Sequence, residues 1–442
     1  GLNRVTAPPD ALSDSTPVTY YNSIVWNGYA NQPAAEIVRV SDAQMQFQIA
    51  GRGVVADIDT GVDPDHPAFA GILLPGYDFT RNQQGASELN DLSPTDFPSS
   101  PPPCPPSTCP PVIVNQSSAA ILDQSSAAIL DTNPKYAAFG HGTMVMGVIH
   151  LVAPTAQLLP LKAFKSDGTA FLSDILRAIY YGVRNDANVI NMSFDTKTNS
   201  PELSRALDYA NQQGVICAAS AGNDGQEEIV YPAALQNDVM GVASTSDLDQ
   251  RSYSSNYGNA IVWVDAPGEA IVTTYPFSTY AAGWGTSFSA PFVSGGAALL
   301  LNLQSSTNES QAAAAVAHAV WVGPEMGNGR LDLIQALSAR SVTGDISISV
   351  SPVSTTIRRG TSGKYTVTVA ALQDFTGSVN LRVSGLPAHT YATFDKSSVT
   401  GSGSSVVTLQ VGRGAQPGTY KLTISGSSGS LMHSVYAILK IQ

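Results

Sequence analysis

Three short motifs carry a carboxylate, an imidazole and a hydroxyl, in that order along the chain. Asp59 lies in the sequence Asp-Ile-Asp-Thr-Gly, His141 in Gly-His-Gly-Thr and Ser287 in Gly-Thr-Ser-Phe-Ser-Ala-Pro. A serine hydroxyl is a poor nucleophile at neutral pH and needs a base in contact, and an imidazole needs a carboxylate that fixes its tautomer. Each motif alone is typical of an ordinary turn or loop. Together they predict that Ser287 attacks an acyl group, with His141 as the base and Asp59 as its partner.

A fourth motif supplies an amide to the same predicted site. Asn223 follows the apolar residues 215–219 and lies on a turn flanked by Gly222 and Gly225. Acyl transfer develops a negative charge on the attacked carbonyl oxygen, which needs fixed hydrogen-bond donors. We expect the Asn223 side chain and the backbone N–H of Ser287 to donate to it. The positive end of a helix that begins near Ser287 would add to this stabilisation.

Short apolar runs precede these motifs and predict the strands that position them. The runs begin at Val54, Leu158, Val189, Val215 and Val239. Because they are nearly continuous, they are typical of parallel strands buried on both faces.

Helical segments alternate with these strands. Residues 173–185 and 201–213 are helical candidates, and Gly214 ends the second as a C-cap would. His141 and Ser287 each open a further apolar, helical run. The alternation predicts an α/β domain with a doubly wound, mostly parallel sheet, and it places Asp59 at the carboxyl edge.

The rest of the chain has a different composition. Residues 344–442 are rich in Ser, Thr, Val and Gly with period-two alternation, which predicts six or seven strands in a second, smaller all-β sandwich. It resembles the immunoglobulin-like modules appended to many exported bacterial enzymes. We predict a catalytic domain over 51–340 that contains an exposed proline-rich insertion, 84–135, and follows an N-terminal extension, 1–50. This extension is read either as mature sequence or as a propeptide remnant.

The four motifs together resemble the subtilisin-like serine peptidase family over roughly residues 50–340. The order Asp, His, Ser is that of the subtilisins, whereas trypsin-like enzymes and α/β-hydrolases have other orders. The related sedolisins are disfavoured, because they use carboxylates where this chain has Gly-His-Gly-Thr. The resemblance implies a secreted serine endopeptidase that forms an acyl-enzyme and requires no cofactor. Its substrates would be proteins or peptides.

The resemblance also implies which residues contact substrate. The loop 167–171 would pair with the substrate backbone as an added strand. A pocket would receive the side chain that precedes the scissile bond. Main-chain recognition of this kind implies broad specificity. The implied substrate-binding residues are Gly168, Thr169, Ser193, Phe194, Ser220, Ala221 and Gly222.

Several positions depart from the family pattern. Ala68 stands where an aspartate usually binds structural calcium, so we assign no metal site and leave structural calcium elsewhere open. Phe194, Asp195 and Thr196 replace a glycine-rich segment near the pocket. Val230 replaces a small residue, which predicts a shorter pocket that prefers small or medium side chains.

Asp57 departs most informatively, because its strand position usually holds an apolar residue. It lies two residues before Asp59 and therefore faces the same side of the sheet. A buried neighbouring carboxylate raises the pKa of one of the two groups. One hypothesis is an enzyme tuned to mildly acidic conditions. The alternative is that a nearby donor neutralises Asp57 without effect on activity.

Charge and composition exclude some classes of partner. The formal net charge is −12, 13% of the 442 residues are charged, and no basic run is present, so nucleic acid is an unexpected partner. No apolar run is long enough to span a membrane, and the first residues lack a hydrophobic signal segment. We expect a signal peptide and any propeptide to be absent from this chain, and we predict export from composition and family.

The three cysteines suggest two environments. Cys104 and Cys109 lie close together in the proline-rich stretch, where a small disulfide would fit an oxidising compartment. Cys217 lies in an apolar run and is predicted to be a core residue.

Two other functions compete with the enzyme. One is a catalytically silent binding protein that presents the proline-rich insertion and the sandwich to a partner. The other is an exported adhesive or carbohydrate-binding protein in which the sandwich is the working part and contacts a cell surface or matrix. The sandwich sequence has no aromatic row of the kind that a sugar platform needs, and the complete set of Asp59, His141 and Ser287 argues against the first alternative.

Overall fold

The computed structural model describes residues 10–94, 112–113, 133–339, 345–372, 375–428 and 431–442. The chain forms two compact units, Gly1–Arg340 and Ser341–Gln442. The predicted Cys104–Cys109 disulfide lies outside the described residues.

The large unit is built on an eight-stranded sheet in the order β11-β10-β9-β8-β3-β7-β4-β5. All neighbouring strands are parallel except β4 and β5. This confirms the predicted mostly parallel α/β fold. The strands of the unit are β1 (Pro17–Tyr20), β2 (Ser23–Trp26), β3 (Val54–Asp59), β4 (Tyr77–Asp78), β5 (Gln83–Gln84), β6 (Val112–Ile113), β7 (Gln157–Lys162), β8 (Ala187–Met192), β9 (Ile216–Ser220), β10 (Met240–Thr245), β11 (Val264–Pro267), β12 (Ile271–Tyr275) and β13 (Thr279–Gly283).

Helices cover both faces of this sheet. They are α1 (Asp10–Ser13), α2 (Asn27–Ala30), α3 (Pro33–Ile37), α4 (Val40–Phe47), α5 (His141–Val152), α6 (Leu172–Arg184), α7 (Pro201–Gln212), α8 (Thr286–Leu303), α9 (Glu309–Val316) and α10 (Leu333–Ala339), with 3₁₀ turns at Pro67–Phe69, Glu88–Asp91 and Pro134–Tyr136. Val55 belongs to the core with α5 and α8, whereas Ala56 belongs to the core with α6 and α7. Successive residues of a strand point to opposite faces, which explains why these strands are apolar throughout.

The residues before the catalytic sequence motifs are part of the same core. Leu12, Tyr29 and Val38 are fully buried in the cluster that contains α5 and α8. The Gln32 side chain donates to the Val272 carbonyl at 2.6 Å and accepts from the Val272 N–H at 2.9 Å. The described part of the predicted N-terminal extension is therefore packed into the large unit.

The first part of the predicted exposed insertion also differs from the expectation. Ala86, Glu88 and Leu92 are buried, and Glu88 opens the 3₁₀ turn Glu88–Asp91. Apolar side chains and a fully enclosed carboxylate are not features of an exposed loop. These residues are instead part of the support for the site described below.

The small unit is a two-sheet all-β structure, as predicted, with nine strands in the described residues rather than six or seven. One sheet has the order β14-β16-β20-β18 and the other β15-β22-β21-β17-β19. Alternate residues such as Val367, Val369 and Leu409 fill the core between them. The strands are β14 (Asp345–Ser351), β15 (Ser354–Ile357), β16 (Ser362–Leu372), β17 (Ser378–Ser384), β18 (Thr390–Phe394), β19 (Ser398–Thr400), β20 (Gly403–Val411), β21 (Gly418–Ser428) and β22 (Leu431–Ile441). An immunoglobulin-like topology stays a prediction.

Candidate active site

Asp59 and His141 meet at the carboxyl end of the central strand. Asp59 is the last residue of β3, and His141 is the first residue of α5. The His141 Nδ1 lies 2.7 and 2.8 Å from the two carboxylate oxygens of Asp59. Burial of His141 disfavours its charged form, but the charge of Asp59 and the hydrogen bond to it outweigh burial and raise the pKa of His141. The pair therefore stabilises an imidazolium.

Two glycines bring the His141 segment against the Asp59 segment. Gly140 has φ = +89°, and a Cβ atom there would lie 2.4 Å from the Tyr275 ring. A Cβ atom on Gly142 would lie 2.0 Å from the backbone oxygen of Gly61. Only glycine fits both the left-handed backbone and these close approaches. The Gly-His-Gly sequence is thus required by packing at this point.

Ser287 is the second residue of α8 and is tied to strand β8 through Ser193. The Ser193 hydroxyl donates to the Ser287 carbonyl at 2.9 Å, and the Ser287 hydroxyl donates to the Ser193 carbonyl at 3.2 Å. Pro291, four residues after Ser287, has no N–H and cannot make the helical hydrogen bond to that carbonyl. The Ser287 carbonyl is therefore left for Ser193.

His141 lies beside the start of this helix. Its ring centroid is 5.9 Å from that of Phe288, the residue after Ser287. In the part of the chain that the structure describes, the Ser287 hydroxyl donates to Ser193 rather than to His141. Hydrogen bonds of catalytic groups are often long or misaligned in ligand-free structures. The arrangement places all three side chains at one edge of the sheet.

The Asn223 side chain has a fixed orientation. Its Oδ1 accepts from the Thr286 N–H at 2.9 Å and from the Thr286 hydroxyl at 3.1 Å. Because a backbone N–H only donates, the atom facing Thr286 must be the amide oxygen. The Asn223 NH₂ group consequently points away from Thr286 and is available to an acceptor near Ser287.

The residues that the sequence analysis assigned to the pocket lie on two neighbouring segments. Ser193 follows β8, and Ser220 ends β9 and leads into Ala221 and Gly222. The Gly222 N–H donates to the Thr286 hydroxyl at 3.2 Å, which brings this segment against the start of α8. Gly222 has φ = +93°, and a Cβ atom there would lie 2.5 Å from Asn256 and 3.1 Å from Asp195.

The other predicted substrate residues lie on a separate loop. Lys165 N–H donates to the Thr169 carbonyl at 2.9 Å, and the Thr169 N–H donates to the Asp167 carboxylate at 2.9 Å, so Gly168 lies at the tip of a tight turn. Phe194 contacts this region through Phe164, with ring centroids 4.9 Å apart. The structure thus joins the loop to the pocket segment through two aromatic rings.

Val230 and Ala68 both occupy buried positions. Val230 is fully buried in a cluster with Ala221, and the shorter pocket stays a prediction. Ala68 is also fully buried, and its N–H donates to His66 Nδ1 at 3.2 Å.

In the described residues, no group of three or more His, Cys, Asp or Glu side chains could hold a metal ion. Over the same residues, no helix combines the length and apolar character needed to cross a membrane.

Asp57 is buried and has a donor on one oxygen only. Asn191 Nδ2 donates to Asp57 Oδ1 at 2.9 Å, whereas Asp57 Oδ2 has no hydrogen-bond partner in the described residues. Burial first, and then the charge of Asp59, raise the pKa of Asp57 well above its usual range, and the Asn191 hydrogen bond opposes this only in part. A nearby donor and a raised pKa thus occur together, so the two hypotheses for Asp57 are not exclusive.

The sequence analysis missed two buried charged residues that hold the segments after Asp59 and before His141. Glu88 Oε2 accepts from the Gly140 N–H at 2.8 Å and from the Thr60 hydroxyl at 3.2 Å. Lys162, at the end of β7, is fully buried and donates to the Thr60 carbonyl at 2.6 Å. Glu88 lies 52 residues before Gly140, in a stretch interpreted as an insertion. No local sequence signal distinguishes it from a surface glutamate.

Comparison with known proteins agrees with this geometry. The subtilase family model matches residues 51–344. A thermophilic serine proteinase of Bacillus sp. (strain AK1) is 33% identical over 258 residues, which are 56% of this chain and 51% of that protein. Thermitase of Thermoactinomyces vulgaris is 31% identical over 269 residues, which are 59% of this chain and 78% of thermitase. This chain thus spans about half the length of the first of these relatives.

Solved structures show the same fold. A cold-adapted subtilisin-like serine proteinase aligns with a TM-score of 0.50 at 26% identity, over 64% of this chain and 90% of that one. A protease from Pseudoalteromonas arctica aligns with a TM-score of 0.53 at 23% identity, over 69% and 94% of the two chains. Since the family model covers more than half of the chain and contains all four motifs, this protein belongs to the subtilase family.

Proposed function

We propose that this protein is a secreted serine endopeptidase that hydrolyses peptide bonds of protein substrates. The observation that carries the proposal is the contact of His141 Nδ1 with both oxygens of Asp59, beside the helix start that bears Ser287. An imidazole held by a buried carboxylate next to a serine is the arrangement that activates a hydroxyl for acyl transfer.

The reaction has two halves that use the same groups. After a rotation of its side chain toward His141, the Ser287 hydroxyl attacks the scissile carbonyl carbon while His141 Nε2 accepts the proton. His141 then returns this proton to the leaving amine, and an acyl-enzyme remains on Ser287 Oγ. A water molecule, deprotonated by His141, attacks the acyl-enzyme and releases the carboxylic acid product. Asp59 keeps the Nδ1 proton in place and stabilises the imidazolium in both halves.

The oxyanion that forms in each half needs donors that are already oriented. Thr286 fixes the amide oxygen of Asn223, so the orientation of the Asn223 NH₂ group is set before substrate binds. The Ser287 N–H belongs to the first turn of α8 and has no helical acceptor. These two donors would bind the oxyanion, and the positive end of the helix supports them.

Substrate recognition would occur mainly through the backbone. Gly168 and Thr169 lie on an exposed turn that can pair with an extended peptide, and residues 220–222 would form the opposite wall. The pocket residues Ser193 and Phe194 would contact the side chain before the scissile bond. Val230, which packs against Ala221, would shorten this pocket and favour small or medium side chains within an otherwise broad specificity.

Labelling with a fluorophosphonate probe and cleavage of casein test the proposal. Wild-type protein should be labelled and should cleave casein, and Ser287→Ala should lose both. Ser289→Ala is the matched control, because Ser289 lies on the same helix and donates to the Pro267 carbonyl. A folded wild-type protein that takes up no label would instead support the catalytically silent binding protein. Cleavage of a peptide library by the same sample would measure specificity.

A further inference from the structure

We propose that Glu88 is a positioning residue that holds the chain segments of Asp59 and His141 together, and that it does so as a carboxylate. The proposal rests on the proposed peptidase function and adds a residue to it. Glu88 lies on the 3₁₀ turn Glu88–Asp91 and is fully buried.

Glu88 binds both segments of the site at once. Its Oε2 accepts from the N–H of Gly140, the residue before His141, at 2.8 Å, and from the hydroxyl of Thr60, the residue after Asp59, at 3.2 Å. Its Oε1 accepts from the hydroxyl of Thr143, two residues after His141. One carboxylate therefore joins three residues that are direct or near neighbours of the catalytic pair.

The hydrogen-bond directions identify the form of Glu88 that completes this bridge. The Thr60 hydroxyl already accepts from the Gly142 N–H at 3.0 Å, and the Thr143 hydroxyl accepts from the Asp63 N–H at 2.7 Å. Each hydroxyl therefore has its hydrogen free to donate to Glu88. Gly140 also donates, so all three partners supply hydrogens to Glu88. A protonated Glu88 would leave one of these donors without a partner.

Burial, more than the surrounding charges, sets the pH at which Glu88 titrates. Burial raises the pKa of Glu88 to about 7, although hydrogen bonds from Thr143 and Gly140 and the charge of Lys162 oppose the rise. Lys162 is itself held by Asp91, at 2.8 Å, on the same turn. The titratable and charged groups that interact with Glu88 are Asp57, Asp63, His141 and Lys162.

A change in the ionisation of Glu88 should therefore appear in catalysis. As the pH falls through the pKa of Glu88, the carboxylate gains a proton and releases one of the segments that hold Asp59 and His141. His141 also gains a proton as the pH falls, and its pKa is raised by Asp59. The acid limb of log kcat/KM should then have a slope between 1 and 2, since two protonations inactivate the enzyme.

Glu88→Gln tests this inference, because glutamine keeps the shape and loses the charge and one acceptor. We expect kcat to fall by about 10- to 100-fold with KM within about twofold, since misplacement of a catalytic group by about 1 Å costs this much. The acid limb should become a single protonation of slope 1. The NMR resonance of the His141 Nδ1 proton should shift or broaden. Glu36→Gln, on the exposed surface of α3, is the matched control and should change none of these.

Thr60→Val removes the Thr60 arm of this bridge, together with the hydrogen bond that the Thr60 hydroxyl accepts from the Gly142 N–H, without changing a buried charge. It should also lower kcat. The double variant should lose no more of kcat than the single variant with the larger loss, because both changes break one unit. Thermal melts establish that each variant is folded before the assay, and if Glu88→Gln does not fold, Thr60→Val decides the question with the same readouts.

Two results would overturn the role of Glu88. One is a folded Glu88→Gln or Thr60→Val with kcat within twofold of wild type and an unchanged acid limb. The other is a double variant whose fold-loss in kcat equals the product of the two single losses. Failure of the peptidase function is distinguishable, because wild-type protein would then take up no fluorophosphonate label at Ser287. A labelled wild type with an unaffected Glu88→Gln rejects the positioning role alone.

Discussion

The two units of this protein differ in what they bury. The large unit encloses many ionisable side chains, whereas the buried polar residues in the described part of the small unit are Thr390 and Ser405, which carry no charge. Buried charge costs free energy unless it is paired or neutralised. The buried ionisable residues of the large unit are Asp57, Asp59, Asp63, His66, Asp78, Glu88, His150, Lys162, Asp265, Glu309, Arg330 and Asp332.

This difference fits the proposed function, which requires buried ionisable groups in the large unit. The small unit is stabilised by alternating apolar residues, which are sufficient for a two-sheet core. The large unit holds carboxylates at low dielectric, where their interaction with His141 is stronger than in water. The free-energy cost of burying these charged groups thus accompanies the orientation of the site.

The sharpest test of this contrast is the loss of one buried charge at the site. Asp59→Asn keeps the shape of the side chain but favours the wrong tautomer of His141. We expect kcat to fall by about 10⁴-fold, with the fold retained. Steady-state hydrolysis of a chromogenic peptide and a circular-dichroism melt measure the two effects. A loss below about tenfold would mean that Asp59 does not act through His141.

Removal of a donor at the same edge should have the next largest effect. Asn223→Ala should lower kcat by about 10²- to 10³-fold with little change in KM, because the donor acts on the oxyanion more than on the bound substrate. The kinetic constants should be measured on one peptide series. A change confined to KM would instead place Asn223 in ground-state binding.

A cavity in the small unit should lower its stability and leave catalysis unchanged. Leu409 is fully buried there, so Leu409→Ala should lower the stability of that unit by about 2–5 kcal/mol. Peptidase activity of the folded variant should stay within twofold of wild type. Urea unfolding followed by far-UV circular dichroism measures the stability, and kcat measures the activity. A loss of kcat greater than twofold in the folded variant would contradict this separation of stability from activity.

A buried carboxylate away from the site should cost stability at neutral pH. Burial first, and then the charge of Asp249, raise the pKa of Asp265, and both Asp265 oxygens lack partners in the described residues. The unfolded carboxyl ionises at lower pH than the folded one, so stability falls as the pH rises above the unfolded pKa. Asp265→Asn should therefore stabilise the protein by about 1–3 kcal/mol at pH 7.

The stabilisation of Asp265→Asn relative to wild type should disappear at acid pH. Below the unfolded pKa both states of the wild type are protonated, so Asp265→Asn and wild type should melt alike near pH 3. Asp208→Asn, on the exposed surface of α7, is the control and should show no such trend. A stabilisation that is independent of pH would contradict the role of charge at Asp265.

The smallest expected effect concerns Asp57. Because its pKa is raised, Asp57 gains a negative charge beside Asp59 only as the pH rises, and this should lower activity on the alkaline side. Asp57→Val should move the alkaline limb of kcat/KM upward by about half a pH unit. A pH–rate profile identical to that of wild type would reject tuning by Asp57 and leave neutralisation by Asn191 as its role.

Local patterns in the sequence predict most of the fold but only part of the site. The runs at Val54 and Val189 and the motif around His141 identify strands and a helix start because their signals are contiguous. Glu88 and Lys162 act through the partners that tertiary packing gives them: Glu88 binds Thr60 and Gly140, 28 and 52 residues away, and Lys162 binds Thr60, 102 residues away. Their sequence context, a polar turn and a strand end, is typical of exposed charges. Burial alone reveals them.

The tie between Ser193 and Ser287 has a consequence for the newly synthesised chain. The contacts that orient the site join residues 94 positions apart for Ser193 and Ser287, 82 for Asp59 and His141, and 63 for Asn223 and Thr286. Contacts of such separation form late, after the loops between them have closed. A chain whose synthesis has not passed α8 has no assembled site. If the proposed function holds, such an unfinished chain would therefore be unable to cleave peptide bonds.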